Sequence, residues 1–139
     1  MSRTLEALIK VHQHQVDEQR RVVTQLEEAR LRTVQAIEDL KQDMEIQRNV
    51  ARDDFDSARG LPAYLENAIG KDRSLNYQLD GLAGMIEAAR EELQNRFADL
   101  KKYELANEAE REAERQRLLA LENAALDETA SQRAERNKS

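Results

Sequence analysis

Apolar residues recur at helical spacing over most of the chain. From Leu5 to Ala58 a heptad frame fits. Its a positions are Ile9, Val16, Val23, Arg30, Ile37, Met44, Ala51 and Ala58, and its d positions are Leu5, His12, Gln19, Leu26, Thr33, Leu40 and Gln47. Leu8, Val22, Ala29, Ala36 and Val50 at g widen the stripe. The polar interruptions at d suit a contact between two helices better than a dry multi-helix core. A second run, Leu75, Leu79, Leu82, Ile86, Ala89, Leu93, Phe97 and Leu100, keeps spacings of four and three. Residues 93–133 hold no Gly or Pro and are rich in strong helix formers. At 1.5 Å per residue that stretch alone makes a rod about 60 Å long.

The pattern breaks at residues 59–71. Arg59-Gly60-Leu61-Pro62 predicts the end of the first helix, because Pro cannot continue a helix and Gly tolerates a left-handed cap. Pro62 then starts a short turn closed by Gly70, and Asp72 or Ser74 caps the next helix. The expected bounds are helix 1 at about 4–58 with Thr4 as N-cap, a turn at about 59–72, helix 2 at about 73–131, and a frayed tail, all in one domain. Gly81 and Gly84, inside helix 2, mark close packing or a bend. A short connection makes the helices antiparallel neighbours. The expected fold is therefore all-α, an antiparallel two-helix coiled-coil hairpin. With the turn placed there, partner residue numbers sum to about 131. Met44 meets Ile86, Ile37 meets Leu93, Leu26 meets Leu105, and Leu5 and Ile9 meet Leu121 and Ala125. The charged stretch 107–117 falls opposite Val16, Val22 and Val23 and leaves them poorly covered.

Composition narrows the function. Of 139 residues 36% are charged and 4% aromatic, too little apolar material for anything but a narrow seam. A net charge of -6, spread along the chain, argues against nucleic acid. The absence of Cys removes thiolate metal sites and disulfides and fits a reducing compartment. No stretch approaches a membrane span, and the N-terminus has no signal-peptide core. These features lead to the expectation of a cytoplasmic protein.

Candidate chemistry is sparse. His12 and His14 are two apart, so on a helix they point to different faces and form no metal pair. His12 reads as a seam filler. Gly70-Lys71 matches the end of a P-loop, but Leu65 stands where the first Gly belongs and Asp72 where Ser or Thr belongs. Carboxylates are plentiful, yet a rod has no cleft to desolvate a pair, so no catalysis, cofactor or metal is expected. Tyr64, Leu65, Ile69, Leu75, Tyr77 and Leu79 crowd the expected tip. Either they fold the turn onto the seam, or they form a partner epitope with aromatic anchors. Asp17-Glu18-Gln19-Arg20-Arg21 and Leu126-Asp127-Glu128 are by composition ordinary solvated helix charge.

Three stretches together resemble the flagellar export protein FliJ family. They are Val16-Asp17-Glu18-Gln19-Arg20-Arg21 with Leu26-Glu27, Phe97-Ala98-Asp99-Leu100-Lys101-Lys102-Tyr103-Glu104, and Glu122-Asn123-Ala124-Ala125-Leu126-Asp127-Glu128-Thr129-Ala130 with Arg133. Their order and spacing match over nearly the whole chain. Near the tip the family's apolar surface is matched in part, by Phe55, Tyr77 and Leu79. The resemblance implies an antiparallel coiled coil similar to the central shaft of rotary ATP synthases. It implies a stalk in the pore of the hexameric export ATPase that touches the export gate and handles export chaperones, held peripherally at the inner membrane. It also implies ring contacts through Arg20, Arg21, Asp127, Glu128 and Arg133, and gate or chaperone contacts through Phe55, Tyr64, Leu75, Tyr77 and Leu79. Such a stalk is expected as a monomer or weak self-associate. Two other readings stand beside it: a self-associating structural scaffold, and the equivalent stalk of a virulence-type secretion system.

Overall fold

The structure, a computed structural model, describes residues 2–138. Two long helices, α1 (Ser2–Asp53) and α2 (Phe55–Lys138), pack against each other, and the described residues contain no strand. The fold is the expected all-α helical hairpin. The chain divides into two compact units, Met1–Gln15 with Arg96–Ser139, and Val16–Asn95.

The turn lies at Asp54, not at residues 59–72. Asp54 does the work of a loop by itself. Its amide donates to the Val50 carbonyl at 3.1 Å and closes α1, while its own carbonyl accepts from the Ala58 amide at 3.0 Å and opens α2. Its carboxylate accepts from the Asp56 amide at 3.2 Å and the Ser57 hydroxyl at 2.8 Å, which satisfies one of the exposed amides of the first turn. Asp56 adds a negative charge at the positive end of the helix. Gly60, Pro62, Gly70, Asp72 and Ser74 all lie inside α2, and no glycine has a positive φ. Likewise Thr4 is inside α1 rather than its cap, and α2 continues past Ser131 to Lys138.

The α1 frame holds. From Leu5 to Ala51 every a and d position is buried or half-buried except Arg30, which is exposed. Two of the polar d residues have satisfied side chains. Gln19 Nε2 donates to the Ala89 carbonyl at 3.0 Å, and Thr33 Oγ1 donates back to the Ala29 carbonyl at 2.9 Å.

In the unit Val16–Asn95 the seam of α2 is Leu61, Leu65, Ala68, Asp72, Leu75, Leu79, Leu82, Ile86, Ala89 and Leu93, a strict alternation of four and three. Glu27 pairs with Arg90 at 2.5 Å, and Asp43 accepts a hydrogen bond from the Tyr64 hydroxyl. In the other unit the seam is Arg96, Leu100, Tyr103 and Asn107. There Glu6 pairs with Arg111 at 3.2 Å, His12 stacks on Tyr103 at 4.6 Å, and Arg96 Nη1 donates to the Gln15 carbonyl at 2.9 Å. Partners fall in number along α2 as they rise along α1, so the pairing is antiparallel in each unit.

The register differs from the expected one. Glu6 with Arg111 and Glu27 with Arg90 both sum to 117, His12 with Tyr103 to 115, Gln19 with Ala89 to 108 and Asp43 with Tyr64 to 107, all well below the expected 131. Val16 and Val23 are therefore buried rather than poorly covered, while Val22 is exposed. Leu105 and Leu121, expected beside Leu26 and Leu5, are exposed. Every described residue from Glu108 to Lys138 is exposed.

Candidate functional site

The residues implied as ring contacts are all exposed. Arg20 lies 3.7 Å from Asp17, one turn back on the same face of α1. Arg20 and Arg21 directly follow Gln19, which bonds to the Ala89 carbonyl of α2. Asp127, Glu128 and Arg133 belong to the exposed stretch Glu108–Lys138. That stretch carries its own polar ladder. Glu112 pairs with Arg115 and Glu114 with Arg117, each at 2.6 Å, and Gln116 Nε2 donates to Glu112 at 3.0 Å. Such i,i+3 and i,i+4 pairs contribute a few tenths of a kcal/mol each. Leu118, Leu119, Leu121 and Leu126 stand exposed among them.

The residues implied as gate contacts do not form one cluster. Phe55 begins α2 directly after the turn, is 75% exposed, and has the Arg59 guanidinium 5.3 Å over its ring. Tyr77 lies about 33 Å further along the helix axis at 1.5 Å per residue, and is 82% exposed. Leu75 and Leu79 are half-buried in the seam. Tyr64 is half-buried and donates to Asp43. That hydrogen bond, with smaller contributions from desolvation and the nearby negative charge, raises the Tyr64 pKa above its ordinary value of 10.0.

Sequence reasoning missed a groove beside Tyr77. It has a volume of about 580 Å³ and is walled by Ala29, Thr33 and Ala36 of α1 and by Tyr77, Gly81 and Met85 of α2. Leu75 and Leu82 form apolar parts of its lining, and Arg32 is the one charged residue there. Gly81 and Gly84 do not mark close packing: a Cβ at either position meets no atom within 4 Å. A glycine in a helix interior costs about 1 kcal/mol against alanine, and nothing in the fold repays it here. The signal in the sequence was the pair of glycines beside an aromatic; the α1 wall depends on the register and could not be read.

On the opposite flank, Glu27, Arg30, Leu31, Ala83, Ile86 and Arg90 line a second groove of about 470 Å³. Arg30 sits at an a position there, so a guanidinium replaces an apolar knob. His12, expected as a seam filler, is half-buried against Tyr103, and its Nδ1 is buried without a hydrogen-bond partner. Asn107 Oδ1, the last buried seam position of α2, is buried in the same unpaired way. Among the described residues no helix is long and apolar enough to cross a membrane. Comparison with protein-family models, with curated proteins and with solved structures finds no match to this chain.

Proposed function

We propose that this chain is the stalk and adaptor of a flagellar-type protein export apparatus. In this reading it links the export ATPase hexamer to the cytoplasmic domain of the export gate, handles export chaperones, and sits peripherally at the inner membrane. The ATP chemistry belongs to the ring. The observation that carries the reading is the exposed helix from Glu108 to Lys138, which holds one of the three stretches that resemble the FliJ family. A shaft inside a ring needs many small polar contacts, because a single deep apolar anchor would hold it in one orientation. Mixed Arg and Asp/Glu on a helix that buries none of its described side chains supply such contacts, each worth about 0.2–1 kcal/mol when exposed. Their sum falls with added salt, since the Debye length is about 8 Å at physiological ionic strength.

The test is simultaneous charge reversal at Arg20, Arg21, Asp127, Glu128 and Arg133. Stimulation of the purified export ATPase is expected to disappear, while the thermal midpoint stays within a few degrees. Unchanged stimulation places the ring contact elsewhere on the chain. A large loss of stability assigns these charges to the fold.

A second reading, a self-associating scaffold with no ATPase partner, is favoured by Leu118, Leu119, Leu121 and Leu126, all more than half exposed on one stretch. Sedimentation separates the two. A stalk runs as a monomer or weak dimer at micromolar concentration, a scaffold as an obligate oligomer. The virulence-type stalk is a variant of the first reading and differs in which ATPase responds.

A further inference from the structure

Gly60, Pro62 and Gly70 lie inside α2, although glycine and proline are the least favourable residues for a helix interior. The fold gives no reason for them. Neither glycine has a positive φ, and a Cβ at either meets no atom within 4 Å. Pro62 leaves the Ala58 carbonyl without a helical partner. The seam of the same segment also carries a carboxylate, the half-buried Asp72. Gly and Pro are the residues of a turn, and here they stand where no turn is formed.

A hairpin that turns at Asp54 sets facing residues to sum to about 108, as Gln19 and Ala89 on the seam do. Sliding α1 along α2 by three heptads raises that sum by about 21 and moves the midpoint of the turn to about residue 65, between Pro62 and Gly70. The slide keeps seam against seam, because both helices repeat at alternate fours and threes. It also changes what faces what. With the turn at Asp54, Ile37, 8% exposed, stands level with Asp72; after the slide it stands level with Leu93, and Met44 with Ile86. Asp72 comes to the end of the new turn, where a carboxylate caps a helix start. In the other unit Leu121, 61% exposed, comes level with Ile9. Against these gains stand the lost cover of Leu61, Leu65 and Ala68 and the lost cap at Asp54.

We propose that the hairpin has a second register, three heptads from the first, with its turn between Pro62 and Gly70 in place of Asp54. Gly60, Pro62 and Gly70 burden a continuous helix through this segment and so bring the two packings of one sequence close in free energy. The slide sets how much of α2 beyond Asn107 is left uncovered for a partner. It goes beyond the stalk reading and does not rest on it.

The chain has no cysteine, so introduced pairs report the register on the purified full chain. Ile37→Cys with Asp72→Cys reports the first register, and Ile37→Cys with Leu93→Cys reports the second. Positions 72 and 93 are about 32 Å apart along α2, so one register cannot link both. Ile37→Cys with Leu82→Cys, which neither register sets level, measures linking through unfolded chain. Disulfide formation under a mild oxidant is followed by the mobility of the monomer band at low protein concentration. The second-register pair is expected to link at least tenfold faster than the Leu82 pair. Adding Gly60→Ala, Pro62→Ala and Gly70→Ala together strengthens helix across the second turn. These changes are expected to slow the second-register link at least tenfold while the first-register link stays as fast as before or faster. If the second-register pair links no faster than the Leu82 pair, or links as fast after the triple substitution, the hairpin has one register and the proposal fails. Neither result bears on the ATPase or gate contacts, so the stalk reading stands or falls on its own test.

Discussion

The two parts of α2 on either side of Asn107 look alike in helix propensity and differ in what holds them. Up to Asn107 each seam position is buried or half-buried, even where it is Asp72, Arg96 or Tyr103. Beyond it the described helix is exposed all round and, apart from the ion pair of Arg111 with Glu6, is held by short-range polar pairs such as Glu112 with Arg115, with Arg136 and Lys138 in the last turn to complement the helix dipole. The first part is helical because a partner helix covers one face. The second is helical because its residues favour helix and pair along it. A segment that buries none of its described side chains leaves most of them to a partner, and three of the five proposed ring contacts, Asp127, Glu128 and Arg133, fall there.

The sharpest way to break this comparison is to remove one leucine from the covered part. Leu100 is 8% exposed, so Leu100→Ala is expected to cost about 2–5 kcal/mol, lost transfer energy plus the cavity left behind. Urea unfolding followed by circular dichroism measures it. A cost under 1 kcal/mol would mean that the seam does not hold the helices together.

Pro62 tests how far pairing overrides propensity. It lies inside α2, where its missing N–H leaves the Ala58 carbonyl without a helical partner. Leu61, Leu65 and Ala68, half-buried or buried in the seam on either side of it, hold the helix through the defect. Pro62→Ala is expected to raise stability by up to about 3 kcal/mol. If Pro62 instead formed the turn, the same change would be neutral or destabilising.

The Pro62 result also bears on what the sequence could convey. The heptad frame of α1 was legible because a and d residues are chosen for burial. The turn was not, for two reasons. Gly60 and Pro62 outweighed the cap at Asp54, although Asp at 54 and Asp at 56 are the chemistry of a helix start. And sliding one helix by whole heptads still sets a and d positions against one another, so apolar matching alone does not separate the registers. Only specific pairs such as Glu27 with Arg90 tell them apart. Arg96 shows a further limit. It takes the seam place expected for Phe97, because its guanidinium reaches the Gln15 carbonyl, and a count of apolar residues passes over it. The candidate site was legible in Tyr77 but not in its groove, whose α1 wall needs the true register.

A smaller effect probes the covered part near the turn. Tyr64 donates to Asp43 only while its phenol is protonated. In the unfolded chain it loses that proton near pH 10, and in the folded chain at a higher pH. Between the two the folded state binds more protons, so this contribution is fully present below about pH 10 and is lost as pH rises through the folded value. Melting curves of the parent and of Tyr64→Phe are expected to converge above that window and to separate below it. A constant difference at every pH would leave the hydrogen bond without a part in stability.

The smallest effect expected comes from the uncovered part. Leu121 is 61% exposed, on a stretch where no described residue is buried. Leu121→Ala removes as many methyl groups as Leu100→Ala, but they leave water rather than a packed seam. Alanine is also the slightly better helix former, which offsets the lost contacts. The change in stability is therefore expected to stay within about 0.5 kcal/mol by urea unfolding. The comparison between the two leucines rests on equal chemistry in unequal surroundings, so its outcome does not depend on any estimate of side-chain hydrophobicity. A loss at Leu121 that approaches the loss at Leu100 would mean that the leucine is covered in solution. If that loss grows with protein concentration, the cover is a second copy of the chain, and the scaffold reading displaces the stalk. If it does not, the cover comes from within the chain, and the exposed helix that carries the stalk proposal does not exist in solution.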